Sequence, residues 1–441
     1  MEGSPLSFEL LLSYLHRGIA ALEEPREWSN AKRYSLGDMV LSAFAMFYMQ
    51  CPSFLEHQRQ MQSRQGKNNA SQLFGLQQIP TNNQLKNVLD QVSASSLFAV
   101  FRWVYQALSS KGWLKSYEVL GGQQLIGLDG VEYFSSKKLH CSECSSRTHK
   151  NGEVSHHHSA ILPVIVAPEK DTVIALMPEF IRPQDGAEKQ DSEIAAAKRW
   201  TRTHQTLFRP GTVTLLGDDL YSRQPMCEHC IETGFNFIFT CLPSSHESLY
   251  EWLAYLEKND EVREHEERFW NGRYYEIRRY RYVNGIPLRE TQPSLAVNWC
   301  EVSIHKEADQ KPLYGNAFVT LHPIDNNSVG DLVQAGRARW KTENESHNVL
   351  KTKGYHLEHN FGHGEQHLSM TLLTLNWLAF LFHTVLHLAD ESYQQIRHLR
   401  GTRKGFFQDI QALTKYFLFD SWQHLIDFML DDKVQPSSNT S

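Results

Sequence analysis

A chain of 441 residues with 41% hydrophobic content has room for a sizeable core and for roughly two to four domains. Its formal net charge of −6 argues mildly against nucleic acid as a partner, although a whole-chain average leaves room for a locally basic face. Seven cysteines, an odd and scattered set, do not make a secreted disulfide framework, and reduced thiols are expected.

The opening residues MEGSPLSFELLLSYLHRG carry acids ahead of the apolar stretch and show neither a basic start nor a small-residue cleavage pattern. Export is therefore not expected, and a cytoplasmic location is. Up to about Leu114 the periodicity is helical, as in SLGDMVLSAFAMFYMQ and SLFAVFRWVYQAL, and Thr81 or Asn82 can cap the helix between them. Residues 1–115 thus read as a helical N-terminal domain. A short helix after a polar turn there suits either helix-turn-helix DNA binding or plain packing.

The texture changes at Tyr117. YEVLGGQQLIGLDGVEYF predicts a strand ending at Asp129, followed by strands at AILPVIVA and TVIALM. A helix over KQDSEIAAAKRWTRTH, a strand at VTLLGD, a helix over SRQPMCEHCIETG stopped by Gly234 and a strand at FNFIFTC continue the series. The order β-β-β-α-β-α-β is the one an RNase H-like mixed sheet uses, so the fold class expected is α/β, with residues 116–241 forming its first part. Residues 242–321 alternate and are aromatic-rich between Gly and Pro turns, which predicts a mostly β insertion.

Residues 322–400 are expected to complete the α/β domain. SVGDLVQAGRARWKTENESHNVLKTKG predicts one helix, capped by Ser328 and ended by Gly354. The apolar stretch from Met370 to Ala389 is long enough to cross a bilayer, but it holds Asn376, His383 and His387 and lacks close Lys or Arg flanks. A buried core helix, with no membrane partner, is the better account. Residues 401–441 predict C-terminal helices and a tail, VQPSSNTS, without hydrophobic pattern.

Two acids stand where a buried strand gives them no packing role. Asp129 closes LIGLD, and Asp218, with Asp219 beside it, closes VTLLG. Such carboxylates must be solvated, paired or bound to metal. The proposed strand order makes the two strands neighbours, so both acids would face one crevice. On the following helix, Leu332, Gly336, Arg339, Glu343, His347 and Leu350 form one stripe, which sets Glu343 toward the sheet. Glu345 follows Lys341 by four residues, where a solvated ion pair explains it. Three gathered carboxylates suit hard divalent cations, chiefly Mg²⁺. Arg339 and Lys351 are placed to meet phosphate; ordinary surface charge is the alternative. Other basic runs lie at Lys198, Arg199 and Arg202, at Arg278, Arg279 and Arg281, and at Arg337, Lys341 and Lys353.

As a set, LDG at Asp129, GDDLYSRQP at Asp218 and RWKTENESHNVLK from Arg339 resemble insertion-sequence DDE transposases, particularly those with a β-strand insertion before the catalytic Glu. The resemblance covers roughly Gln123 to Leu388. Arg339 and Glu343 fit the family's spacing. The Tyr expected a turn before that Arg falls on Gly336, and the Lys expected two turns after the Glu falls on Leu350, with Lys351 one position late. Leu220 stands where the family has a small residue, and Tyr221 supplies the aromatic.

The resemblance implies a catalytic and metal-binding triad of Asp129, Asp218 and Glu343 holding two Mg²⁺ ions, for which Mn²⁺ can substitute, and DNA contacts from Arg339, Lys341, Lys351 and Trp299. It implies cut-and-paste transposition, with terminal repeats and target DNA as partners, a homodimer in the DNA complex and a DNA hairpin intermediate. Trp252, Trp270, Tyr274, Tyr275, Tyr280 and Trp299 are the aromatics that could stack on an extruded base; core packing is their default account. The rival functions are a transposase-derived DNA-binding protein, a nuclease of the same fold, and a zinc hydrolase.

Cys141 and Cys144, with His140, His149 and His156 to His158 nearby, have a spacing and ligand types that structural zinc accepts. The irregular histidine spread makes a solvent-facing turn or a DNA contact the favoured account. Cys227 and Cys230 fall within a predicted helix, where a core role is expected.

Overall fold

The computed structural model describes residues 6–27, 33–183, 191–308 and 310–431. The tail VQPSSNTS and the first two residues of the helix expected from Lys189 lie outside them. The protein is mixed α/β. Its described strands, in chain order, are β1 (Glu118–Val119), β2 (Gln123–Gly127), β3 (Gly130–Ser136), β4 (Ser145–Thr148), β5 (Val154–Ile161), β6 (Val164–Val166) and β7 (Ile174–Ala175). They continue as β8 (Glu179–Ile181), β9 (Val213–Gly217), β10 (Asn236–Thr240), β11 (Arg263–Trp270), β12 (Tyr275–Pro287), β13 (Ala296–Lys306) and β14 (Pro312–Thr320).

One large sheet runs β11-β12-β13-β14-β10-β9-β2-β6-β7. Within it β7, β6 and β2 are antiparallel neighbours, whereas β2, β9 and β10 run parallel. This arrangement follows from residue choice. VTLLG is buried at every position of β9 and NFIFT at its three central positions in β10, as strands covered on both faces require.

The strand expected to end at Asp129 instead breaks there and resumes as β3, which pairs with β5 in a smaller sheet ordered β3-β5-β4. The hairpin β2–β3/β5–β6 therefore bends at Asp129, where the Leu162 N–H donates to the Asp129 carbonyl at 3.4 Å. The smaller sheet gives little signal in the sequence because SSKKLHCSECSSRTHKNGEVSHHH carries scant apolar alternation.

The segment expected as a β insertion contains the helix Glu247–Lys258 before its four strands. Its last strand, β14, pairs antiparallel with β10 (Phe239 opposite Val319), so the insertion prolongs the large sheet.

The N-terminal helices share a core with the C-terminal ones. Phe44 and Phe382 meet at 5.1 Å and Phe8 and Trp422 at 4.8 Å, the Asn69 amide donates to the Thr414 carbonyl at 2.7 Å, and the Trp422 indole donates to the Leu73 carbonyl. The helix Leu368–Ala389 is buried along nearly all its length, between this helical layer and the sheet. It is long and apolar enough to cross a membrane, yet it is mostly buried in the protein and several of its polar groups find protein partners. His383 is hydrogen-bonded to the Tyr393 hydroxyl at 2.8 Å and the Tyr48 carbonyl at 2.9 Å, and Trp377 donates to the Leu176 carbonyl at 2.7 Å.

Asp90 fastens the loop that leads into this helix. Its carboxylate accepts the backbone N–H groups of Glu365, Gln366, His367 and Leu368 at 2.9–3.0 Å. Burial alone would raise the Asp90 carboxyl, but these four donors outweigh it and hold it below its ordinary value of 3.8. A depressed folded value means that the stabilisation is complete above the ordinary carboxylate range and is lost as pH falls through the folded value. Asp90→Ala should therefore cost about 1–2 kcal/mol at neutral pH, and the gap from wild type should close on acidification. Urea denaturation at a series of pH values measures this; a gap that stays constant below pH ~4 would contradict it.

Candidate active site

β2 and β9 pair in parallel with Gly127 opposite Leu216, and the Leu128 N–H donates to the Leu216 carbonyl at 2.9 Å. Continuing that register by two residues sets Asp129 beside Asp218 at the same end of two adjacent strands. Both are half-buried.

Glycines make room around them. A Cβ at Gly130 would collide with the Glu193 carboxylate, one at Gly217 with the Tyr221 ring, and one at Gly127 with the Thr342 hydroxyl. The last contact shows how closely the Glu343-bearing helix lies on β2.

That helix is less regular than its sequence predicts. An α-helix spans Val329–Arg337, the turn after it tightens, with Lys341 N–H donating to the Ala338 carbonyl and Thr342 N–H to the Arg339 carbonyl, and Thr342–His347 is π-helical. The N–H of Asn348 reaches the carbonyl of Glu343, five residues back. Its start also differs: Ser328 caps nothing with its side chain, and the Asp325 carboxylate instead accepts the N–H groups of Asn327 and Ser328. Gly354 does end the segment, at φ +98°. Such π segments recur at functional sites because they shift a side chain relative to its neighbours.

Within it, Thr342 faces Gly127 and the His347 Nδ1 lies 3.4 Å from Asp129 Oδ2. Glu343 lies between those two anchors in sequence but is exposed, unlike the sheet-facing position its helical stripe predicts, because the π-helical turn gives that face to Thr342 and His347; its carboxylate has no hydrogen-bond or ion-pair partner among the described residues. Glu345 does not form the solvated ion pair expected with Lys341, whose buried ammonium is taken by the Lys170 carbonyl and Asp171, and it is half-buried. Its carboxyl is raised, first by burial and then by Asp171, and it also feels Lys341 and Arg403.

Asp219 is occupied. It accepts the Leu242 N–H at 2.7 Å and the hydroxyl of Ser245, tying the end of β9 to the chain after β10. Asp218 accepts the Leu220 N–H at 2.9 Å and has no ion-pair partner among the described residues.

A fourth acid gives no signal in the sequence. Glu193 opens the helix Glu193–His204 and accepts the Tyr221 hydroxyl at 2.7 Å and the Gly130 N–H at 3.2 Å. Burial raises its carboxyl; the Tyr221 bond opposes this, and the charges of Asp129 and Asp218 add to the rise. Its sequence context is that of an ordinary first-turn acid behind Ser192, which is why pattern alone passes over it. Glu193 is a positioning residue that holds the Asp129 turn and Tyr221 together.

The DNA contacts expected from sequence divide. Lys341 is buried, its ammonium donating to the Lys170 carbonyl at 2.6 Å with Asp171 at 3.6 Å, so it pins the turn between β6 and β7 and does not meet solvent. Trp299 is also buried, edge-on to Tyr250, and belongs to the core. Lys351 pairs with Glu358 at 3.0 Å on the surface. Arg339 is half-buried, and its guanidinium has no partner among the described residues.

The arginine run in β12 is matched by acids: Arg279 with Glu266 at 2.7 Å, and Arg281 with Glu257 at 2.7 Å and Glu301 at 3.1 Å. Arg199 bridges Glu179 and Asp191. Of the aromatics, Tyr280 is buried, whereas Trp252, Trp270 and Tyr275 are exposed, the last two at the tip of the β11–β12 hairpin.

Cys227 and Cys230 are buried in the helix Gln224–Glu232, as core residues. Cys141 and Cys144 meet His158 and, unexpectedly, His363. No protein-family model matches the chain, and no curated protein matches it either.

Proposed function

We propose that the chain is a DDE-type transposase of the insertion-sequence kind, with an RNase H-like catalytic core that cuts and joins DNA through Asp129, Asp218 and Glu343. The observation that carries this reading is the placement of Asp129 and Asp218 at the same end of adjacent parallel strands, beneath the segment that bears Glu343. The core order β7-β6-β2-β9-β10, three antiparallel strands and then two added in parallel, is the order expected of an RNase H-like sheet and supports it.

The donor set fits divalent metal. Neither Asp218 nor Glu343 has a cationic partner among the described residues, and Asp129 has only the His347 ring, so the charge of three carboxylates is left without an internal counterion. Asp129, Asp218 and Glu343 would hold two Mg²⁺ ions, with Mn²⁺ able to substitute. Bound there, such ions activate an attacking oxygen and stabilise a leaving oxygen at a phosphodiester. His347 keeps Asp129 oriented, Glu193 and Tyr221 fix the turn behind it, and Arg339 is available to a phosphate. One crevice would then serve hydrolytic nicking at a transposon end and attack by the released 3′-hydroxyl on target DNA. Trp252, Trp270 and Tyr275 remain accessible for stacking on a base displaced in a hairpin intermediate.

The test is cleavage and joining of DNA carrying the element's own ends, with Mg²⁺, by wild type and Glu343→Gln. Wild type should nick and transfer strands, and Glu343→Gln should lose both by ~10²–10³-fold, the scale on which single electrostatic stabilisers act. Undiminished cleavage by the variant would remove Glu343 from the site. Cleavage without joining of pre-nicked ends would make the protein a nuclease, and DNA binding without cleavage by wild type a non-enzymatic descendant.

A further inference from the structure

We infer that Cys141, Cys144, His158 and His363 form a zinc site that fixes the distance between the Asp129 turn and the Glu343 helix. The site would serve that purpose whether or not the carboxylates cut DNA.

Four potential ligand atoms converge here, all within 4.8 Å of one another. Cys141 Sγ and Cys144 Sγ are 3.9 Å apart, far beyond a disulfide bond. His158 Nε2 lies 3.6 Å from Cys141 Sγ and 3.4 Å from Cys144 Sγ, and His363 Nε2 lies 3.3 Å from Cys144 Sγ and 3.2 Å from His158 Nε2. A tetrahedral ion with Zn–S of ~2.3 Å and Zn–N of ~2.0–2.1 Å requires edges of ~3.8 Å for S–S, ~3.6 Å for S–N and ~3.3 Å for N–N. Five of the six separations match these within a few tenths of an ångström, and the sixth, Cys141 to His363, lies within 4.8 Å.

The second shell agrees. His363 Nδ1 is 2.7 Å from the Gly364 carbonyl, so Nδ1 carries the proton and the Nε2 lone pair is left facing the cluster. Tyr133 stacks on His158 and Phe134 lies 4.5 Å from His363, giving the cluster an apolar wall. Two cysteines and two histidines with no fifth candidate among the described residues make a closed, four-coordinate site, which is structural in character.

Three other histidines near the CxxC motif have neighbours of their own: the His140 and His156 rings lie tilted against each other at 4.7 Å, and His149 bonds Ser155. Position in the fold gives the site its purpose. Cys141 and Cys144 follow β3 and His158 lies in β5, the two strands that leave the Asp129 bend, whereas His363 comes from the loop between the Glu343 helix and Leu368–Ala389, the loop that Asp90 fastens. One ion would clamp these two parts together.

The experiment is metal analysis of the full-length chain, purified without chelator, followed by Co²⁺ replacement. Wild type should carry one zinc per chain, released by thiol modification. With Co²⁺ it should show the visible bands of a tetrahedral thiolate site, and stripping the metal should lower Tm by several degrees. His363→Ala should lose the zinc, and His156→Ala should keep it. Absence of zinc together with no cobalt spectrum would overturn the inference, as would equal metal loss in the two variants. Should His363→Ala not fold, the Co²⁺ titration of stripped wild type alone decides the matter.

Discussion

Asp218→Asn should reduce metal-dependent DNA cleavage by ~10³-fold or more, whereas Asp219→Asn should retain it. A thousandfold loss is about 4 kcal/mol of transition-state stabilisation, a fair share for one of the three carboxylates proposed to hold the metal. Both substitutions remove the same charge from adjacent residues, so the contrast isolates position. Asp219 spends its oxygens on the Leu242 N–H and the Ser245 hydroxyl, and losing the second of these costs ~1 kcal/mol of stability. Asp218 uses one oxygen on the Leu220 N–H, and its other oxygen has no hydrogen-bond partner among the described residues. Cleavage rates and urea midpoints measured on both variants should therefore separate: activity lost with stability kept at 218, and the reverse at 219. An inactive Asp219 variant beside an active Asp218 variant would overturn this placement of the site.

Gly127→Ala should be nearly as damaging, although residue 127 bears no chemistry. Its Cβ would collide with the Thr342 hydroxyl, and β2 is buried too deeply to retreat, so the π-helical segment must move. Overpacking of this kind costs about 1–3 kcal/mol, and a shift of ~1 Å in a catalytic group can cost ~10²-fold in rate. A partner substitution separates the two elements. In Gly127→Ala, Thr342→Ala the offending oxygen is gone and the closest remaining atom, the residue 342 Cβ, would sit 3.3 Å away, which is tight but tolerable. Cleavage should return most of the way to wild type in the double variant. Failure of that rescue would place the defect in β2 itself.

Much of this site is legible in the amino-acid order itself. LIGLD and VTLLGD announce strands that end in acids, and the order of elements puts those strands side by side, as β2 and β9 are. Helical spacing favours Glu343 over Glu345 for the face toward the sheet, but the π-helical turn changes the phase: Thr342 and His347 face β2 and the turn after it, Glu343 is exposed and Glu345 is half-buried.

What the sequence hides has three physical causes. Lys341 looks like surface charge because nothing local reveals the Lys170 carbonyl that receives its ammonium. Trp299 looks available because strand alternation does not say which face is covered. His363 is 205 residues from His158, in a loop without periodicity, and only the fold brings the two rings together. Distance along the chain, more than weak local signal, limits what can be read.

The pairing of β14 with β10 has a consequence for how the segment between residues 242 and 321 can be changed. Phe239 and Thr240 on β10 face Val319 and Phe318 across that ladder, next to the strand that ends in Asp218. Removing the segment would leave β10 as an open edge, with unpaired N–H and C=O groups over a hydrophobic strand, the surface that promotes association between copies. A shortened chain would therefore be a sticky one, and trimming the segment safely means keeping β14 and rejoining the chain ahead of it. Whatever binds the far hairpin also pulls on a continuous hydrogen-bonded ribbon whose other members are β10 and β9, so a load applied at Trp270 is borne by the platform under Asp218.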